Sequence, residues 1–394
     1  MPTPAPPRTA TPVIGWDRAR RLAERHGTPL HVVSRPALAA GVRAFAERLP
    51  GVRVHYAAKA NRAHEILSHL QFLGAALDVC TPGEVKAGLA AGFSPARMIH
   101  THPCKTDWNL ARSHALGVRT FVYDTADELP KFARLAPDAD LLLRVAAHGG
   151  AVIDLSKKFG CPPAHAPALL AAARSLGLSV RGLSFHLGSQ CLDPAGFGPV
   201  LAGMRDIFDR DAAAGGRMDT LDIGGGPPAP YRDPAALPAL ADYLAAVKGH
   251  LDAHFGDLRL RLLAEPGRCL VAEAVTAVVR VVARQVRGDR TWYFIDDGIY
   301  GTFSDRDADR CPYPVLAEAA ARRPSAPCVL AGQTCDSLDI VWEDRHLPAD
   351  LEVGELLLVP SAGAYTLATA TTFNGFDPPT VVAVDDPPPQ PGSV

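Results

Sequence analysis

The sequence predicts an α/β protein: a TIM-type (β/α)8 barrel followed by a C-terminal antiparallel β domain. Three observations carry that reading. From about Pro29 to about Arg268, short apolar runs alternate with alanine-rich helical stretches, the pattern of strands joined by helices. The apolar runs number eight, which fits a closed parallel barrel better than a doubly wound sheet. After Arg268 the helical period fades, and β-rich runs broken by Gly, Pro and Asp take over.

Taken in order, Met1 to Pro12 is rich in Pro, Ala and Thr and reads as a flexible arm; residues 1–30 together form that arm and a segment expected to pack on the β domain. The barrel is assigned residues 31–269. Its strands are expected at Val52–Ala57, Ala76–Val79, Met98–Thr101, Thr120–Tyr123, Leu141–Val145, Gly182–His186, Thr220–Ile223 and Arg259–Ala264. Helical patterns fall between them at Ala63–Leu73, Gly83–Ala91, Ala164–Leu176 and Pro234–His250. The β domain is assigned 270–384, with strands at Val275–Val286, Thr291–Ile295, Cys328–Ala331, Leu356–Val359 and Thr380–Val384. Residues 385–394, DDPPPQPGSV, cannot bury enough apolar surface to offset the entropy of ordering and read as a disordered tail.

Composition narrows the functional classes. With 394 residues and 47% hydrophobic content the chain can build sizeable cores. Its 40 basic and 42 acidic residues leave a formal charge of -2, which gives no electrostatic case for nucleic acid or an anionic membrane. No apolar run has spanning length and the N-terminus lacks a signal pattern, so a cytoplasmic location is expected. The 8 cysteines show no CxxC pairing and read as reduced thiols. His100, His102 and Cys104 alternate along one strand, but no fourth ligand stands at zinc-site spacing, and no metal is expected.

The chemistry centres on HYAAKAN, residues 55–61, where Lys59 closes an apolar strand. A lysine desolvated in such a place has a neutral amine within reach, able to attack a carbonyl and form an imine. By itself a lysine at a strand end is usually only its polar terminus. Here, however, Asp78, Arg144, His186 and Glu265 also sit at strand ends, and in a (β/α)8 barrel such residues converge on one face. The run Leu221-Asp222-Ile223-Gly224-Gly225-Gly226 carries a strand into three glycines, whose bare backbone can close around a phosphate. Glu265 and Arg268 lie on one loop in AEPGR; they could form a simple salt bridge, or a guanidinium for the phosphate and a carboxylate for a protonated nitrogen. An imine-forming lysine, a phosphate cradle and a carboxylate for a ring nitrogen together specify pyridoxal 5'-phosphate.

With those residues in view the chain resembles the fold-type III pyridoxal-phosphate decarboxylases, the fold shared with alanine racemase, and within them most closely the ornithine decarboxylases. The matching stretches are HYAAKAN, HPCK (102–105), KKFG (157–160), SFHLGSQ (184–190), LDIGGG, AEPGR, DDGIYGTF (296–303), TCDSLD (334–339), GAYT (363–366) and TFNGF (372–376), in family order across nearly the whole chain. The resemblance implies that Lys59 holds the cofactor, with His186 stacked on its ring and Asp78 and Arg144 bordering the lysine. It implies phosphate contacts from Ser189, Gly224, Gly225, Gly226, Arg268 and Tyr365. Glu265 would pair with the ring nitrogen, where racemases of this fold use an arginine, so a carboxylate argues for decarboxylation. Lys59, Glu265, His186 and Cys335 form the implied catalytic set, with Cys335 as proton donor.

The substrate side is assigned Asp309, Asp336, Tyr300 and Phe373, with Asp336 receiving the distal ammonium of a diamino acid. The resemblance further implies a homodimer with shared active sites, Cys335 and Asp336 crossing from the second subunit, with Lys158–Asp339 an ion pair across the interface and Asn374 near it. The expected reaction is L-ornithine to putrescine. Alternatives are lysine or another diamino acid, a regulatory homologue without catalysis, or a racemase. Where the family carries Tyr-Asp-His, this chain has Ala308-Asp309-Arg310, which changes the size and charge of the substrate pocket.

Overall fold

A computed structural model describes residues 10–153, 155–231, 237–305 and 312–386. It divides into two units. In chain order, strand β1 (Leu30–Ser34) belongs to the second of these, and the next eight strands close a barrel. They are β2 (Val52–Ala57), β3 (Ala76–Val79), β4 (Met98–His100), β5 (Thr120–Tyr123), β6 (Asp140–Arg144), β7 (Ser179–Ser184), β8 (Thr220–Asp222) and β9 (Arg261–Ala264). Each pairs in parallel with the next, and β9 returns to β2 through Val52–Leu262, Arg53–Leu263 and Val54–Ala264. Helices lie between most of them, the longest at Phe197–Ala213 and Leu240–Phe255.

The barrel interior holds Ile99, Val122, Leu142 and Leu263 as one buried cluster. Each such side chain contributes about 1.5–3 kcal/mol relative to exposure. Burial grows along β2 toward its C-terminal end, where His55, Tyr56 and Ala57 are all buried. The strand therefore delivers Lys59 to the C-terminal mouth from a rigid stem.

The second unit is built on a sheet ordered β12–β15–β10–β11–β13–β14, with β1 added on β10 and β16 on β1. Its strands are β10 (Val275–Arg287), β11 (Arg290–Ile295), β12 (Leu316–Ala317), β13 (Ser325–Ala331), β14 (Ile340–Pro348), β15 (Leu356–Val359) and β16 (Thr380–Val384). Most pairings are antiparallel, as expected, but β11 with β13 and β1 with β16 are parallel, so the sheet is mixed. Helix α1 (Trp16–His26) buries Ala19, Leu22 and Ala23. Ala19 and Leu22 join Val13, Ile14, Leu30, Val32, Val278, Leu358 and Val384 in the core of this unit. Its charges suit the helix dipole, with Asp17 in the first turn and Arg25 and His26 in the last.

The boundary drawn at residue 31 falls inside β1. That strand is tied to β10 and β16 by backbone pairing, which carries the chain as far as Leu38 into the sheet unit, along with a short stretch starting at Ala229. Asp385 and Asp386, assigned to the tail from sequence, pair with Arg35 at 2.8 Å and Arg18 at 3.3 Å. The rest of the tail and the first nine residues lie outside the described residues. Among the described residues no helix is long and apolar enough to cross a membrane.

Candidate active site

Strand ends on the C-terminal mouth of the barrel bring most of the candidate residues together. Lys59 sits in the short turn Ala58–Ala60 directly after β2, and its Nζ donates to Asp78 Oδ2 at 3.0 Å. Asp78, on β3, is buried, and its second oxygen accepts the hydroxyl of Thr101. A buried carboxylate so held fixes the lysine's reach.

Beyond β7, the Gly188 N–H donates to His186 Nδ1 at 3.0 Å, which orients the ring and requires that nitrogen to be unprotonated. Burial, then the charges of Arg144 and Lys59, hold His186 well below the ordinary histidine range, in agreement with a neutral ring. Arg144 ends β6 with its guanidinium 5.5 Å from the centre of the Phe159 ring.

Three loops interlock around the glycines. Glu265 N–H donates to Gly224 O at 2.7 Å, Cys191 N–H donates to Gly226 O at 2.9 Å, and Arg268 Nε donates to Ser189 Oγ at 3.2 Å. Glycine is required here by proximity: a Cβ on Gly224, where φ is +67°, would stand 2.2 Å from Phe185 O. One on Gly225 would stand 2.6 Å from Glu265 O and 3.0 Å from His186 Nε2. Glu265 is buried, and burial together with the Asp222 and Asp78 charges pushes its carboxyl well above the usual range. Asp222 is raised to about 6, first by its own burial.

These groups fit pyridoxal phosphate. The cradle presents bare backbone where side chains cannot enter, beside a buried guanidinium and a serine hydroxyl. Asp222 Oδ2 is buried without a hydrogen-bond partner, and Glu265 beside it is carried in a site that favours a cation.

The remaining candidates belong to the sheet unit. The Tyr300 hydroxyl donates to Asp336 Oδ2, and Phe373 stacks on the Tyr300 ring at 4.4 Å. That hydrogen bond holds the Asp336 carboxyl below its ordinary value. Cys335 is exposed, with its N–H donating to Asn374 Oδ1 at 2.9 Å. Tyr365 adopts a left-handed φ of +58°, a strained backbone for a non-glycine residue, with its carbonyl accepting the Thr369 hydroxyl. Asp339, expected to pair with Lys158 across an interface between two copies, is buried and accepts from Ile299 N–H, Thr334 N–H and the Thr334 hydroxyl of its own unit. Asp309 lies outside the described residues.

Two residues were missed by the motif reading. Thr101 supports Asp78, and Asp222 faces Glu265. A charged residue inside a strand two positions before a glycine run was the available signal, because an aspartate there can accept the N–H two residues on.

Comparison with known proteins identifies the family. The family model described as "Pyridoxal-dependent decarboxylase, pyridoxal binding domain" matches residues 36–272. The chain belongs to that family. It is a pyridoxal-phosphate-dependent amino-acid decarboxylase. The decarboxylase is 36% identical to the lysine/ornithine decarboxylase of Selenomonas ruminantium over 371 residues, 93% of each chain. It is 34% identical to the ornithine decarboxylase of Schizosaccharomyces pombe, over 86% of this chain and 79% of that one. Among solved structures, the lysine/ornithine decarboxylase from Vibrio vulnificus complexed with putrescine superposes with a TM-score of 0.86 at 34% identity, over 94% of this chain and 99% of that one.

Proposed function

We propose that this decarboxylase acts on basic L-amino acids, with L-ornithine, giving putrescine, as its main substrate and L-lysine as a second. The observation that carries the substrate class is Asp336. Its carboxylate is kept ionised by the Tyr300 hydroxyl beside an aromatic stack, a site that suits a distal ammonium group. The lysine/ornithine decarboxylases among the relatives support lysine as a second substrate.

In this reading Lys59 would hold the cofactor, with Asp78 positioning its Nζ as it does at 3.0 Å. Ser189, the Gly224–Gly226 backbone and Arg268 would bind the phosphate, and His186 would pack on the ring. Glu265 would accept the ring N–H. When bound, pyridoxal phosphate supplies the electron sink that makes loss of CO2 feasible. Cys335 then delivers a proton from Sγ to the former α-carbon, and Asp336 fixes the far end of the substrate.

Cys335 and Asp336 are proposed to come from a second copy of the chain, in a homodimer with two shared sites. The test of the substrate assignment is CO2 release from a panel of L- and D-ornithine, lysine and arginine with added cofactor. L-ornithine and L-lysine are expected to react, and Asp336→Asn is expected to raise KM for both by about 10- to 100-fold, the loss of one charge-assisted contact. Interconversion of L and D forms without gas would show a racemase instead.

A further inference from the structure

Asp222 is the charged residue at the barrel mouth to which the motifs give no task. It ends β8 fully buried, and its two oxygens have different surroundings. Oδ1 accepts the Gly224 N–H at 2.9 Å and so shapes the first turn of the triglycine segment. Oδ2 is buried with no hydrogen-bond partner. Glu265 stands on the neighbouring strand end, where Ile223 N–H donates to Leu263 O at 2.9 Å and Glu265 N–H to Gly224 O at 2.7 Å, and the two carboxyl groups act on each other. Two ionised carboxyl groups are both acceptors and cannot bond to each other; one proton between them turns a repulsion into a hydrogen bond.

The other charged groups facing the pair do not remove that need. Asp78 adds a negative charge, Lys59 is engaged with Asp78 at 3.0 Å, and Arg144 supplies one cation from β6 while lying against Phe159. His186, close to Gly225, is neutral. Two buried anions with so little compensation are costlier than one anion and one acid.

We propose that Asp222 and Glu265 hold a single proton between them, so that the pair presents one negative charge at Glu265, and that Asp222 is the positioning residue that sets this charge. With a cation at Glu265 the proton resides on Asp222 Oδ2, whose O–H donates to the Glu265 carboxylate. Glu265 is then kept as an ionised acceptor, and the pair matches a singly charged ring N–H. The proposal rests on the reading of Glu265 as the partner of the ring nitrogen.

Difference infrared spectroscopy of the cofactor-free full-length protein near neutral pH tests it, through the C=O stretch of a protonated carboxyl. The wild type is expected to show a band of one group's intensity. Asp222→Asn, whose Oδ1 can still accept the Gly224 N–H and whose amide can donate to Glu265, is expected to lose it, and so is Glu265→Gln. Absence of the band in the wild type, or its persistence in Glu265→Gln, would overturn the proposal. Should Asp222→Asn fail to fold, the Glu265→Gln spectrum decides alone. If the band is present and lost as expected while Glu265→Gln leaves cofactor affinity and absorption unchanged, the shared proton stands and the assignment of Glu265 to the ring nitrogen falls.

Discussion

His31 shows how much a single residue's role depends on burial that no motif announces. Its ring is buried in the sheet unit, with Nε2 at 2.8 Å from Thr302 Oγ1 and Nδ1 without a partner. Burial lowers its pKa to about 4. Between that value and the ordinary 6.5, the unfolded chain binds a proton that the folded chain refuses, so this residue's contribution to stability falls as pH falls through that window. For His31 alone the loss between pH 7 and pH 5 is about 2 kcal/mol. His31→Gln, which keeps a polar atom near Thr302, removes the titration. Urea unfolding at both pH values should therefore show the variant gaining about 2 kcal/mol on the wild type on going from pH 7 to pH 5. Asp222 was hidden for the same reason: in the sequence it is one polar letter in a strand, and only the barrel's closure places it against Glu265.

At the scale of elements, the barrel strands were legible because each is a short apolar run ended by a polar residue or glycine. Strands β1 and β14 were not. β1 is five buried residues next to Pro29 with no alternation, so nothing in the sequence marks it as one strand and the boundary at residue 31 cuts through it. β14 contains Glu343-Asp344-Arg345, which looks like a solvated turn. Arg345 is nevertheless buried, its guanidinium 5.3 Å from the Trp342 ring centre and donating to Tyr313 O. Side-chain contacts made by the fold outweigh the local pattern in both strands.

Two turns that hold candidate residues, one in each unit, obey packing rules that allow firm predictions. Gly225→Ala forces its new methyl against Glu265 O and His186 Nε2. Such a clash costs about 1–3 kcal/mol, so titration of the cofactor-free protein should show affinity at least about 10-fold weaker. The turn holding Cys335 and Asp336 depends instead on Asp339, whose oxygens accept three donors and lie where a Cβ on Gly298 or Gly332 would collide, at 2.3 Å and 2.2 Å. Asp339→Asn leaves one amide facing these donors. Unfolding free energy should drop by about 2 kcal/mol. The same variant should lower kcat while leaving cofactor affinity unchanged, which separates it from Gly225→Ala.

At the scale of the whole molecule, the candidate residues fall into two sets. Lys59, Asp78, His186, Ser189, the triglycine, Glu265 and Arg268 belong to the barrel unit, whereas Tyr300, Cys335, Asp336 and Phe373 belong to the sheet unit. Cys335 is exposed in that unit, as are Phe373 at 39% and Leu338 at 73%, apolar surface that the proposed homodimer would cover. If each site takes its barrel half from one chain and its Cys335 turn from the other, damage to the two halves can be separated. Lys59→Ala and Cys335→Ala homodimers should each be nearly inactive. In a mixed dimer one site receives both lesions and the other receives none. Random exchange makes half of the dimers mixed, each with one of its two sites intact, so activity should recover to about one quarter of wild type. Recovery on mixing, measured as CO2 release after subunit exchange, requires sites shared between copies; no recovery despite proven exchange would place the Cys335 turn in the site of its own chain.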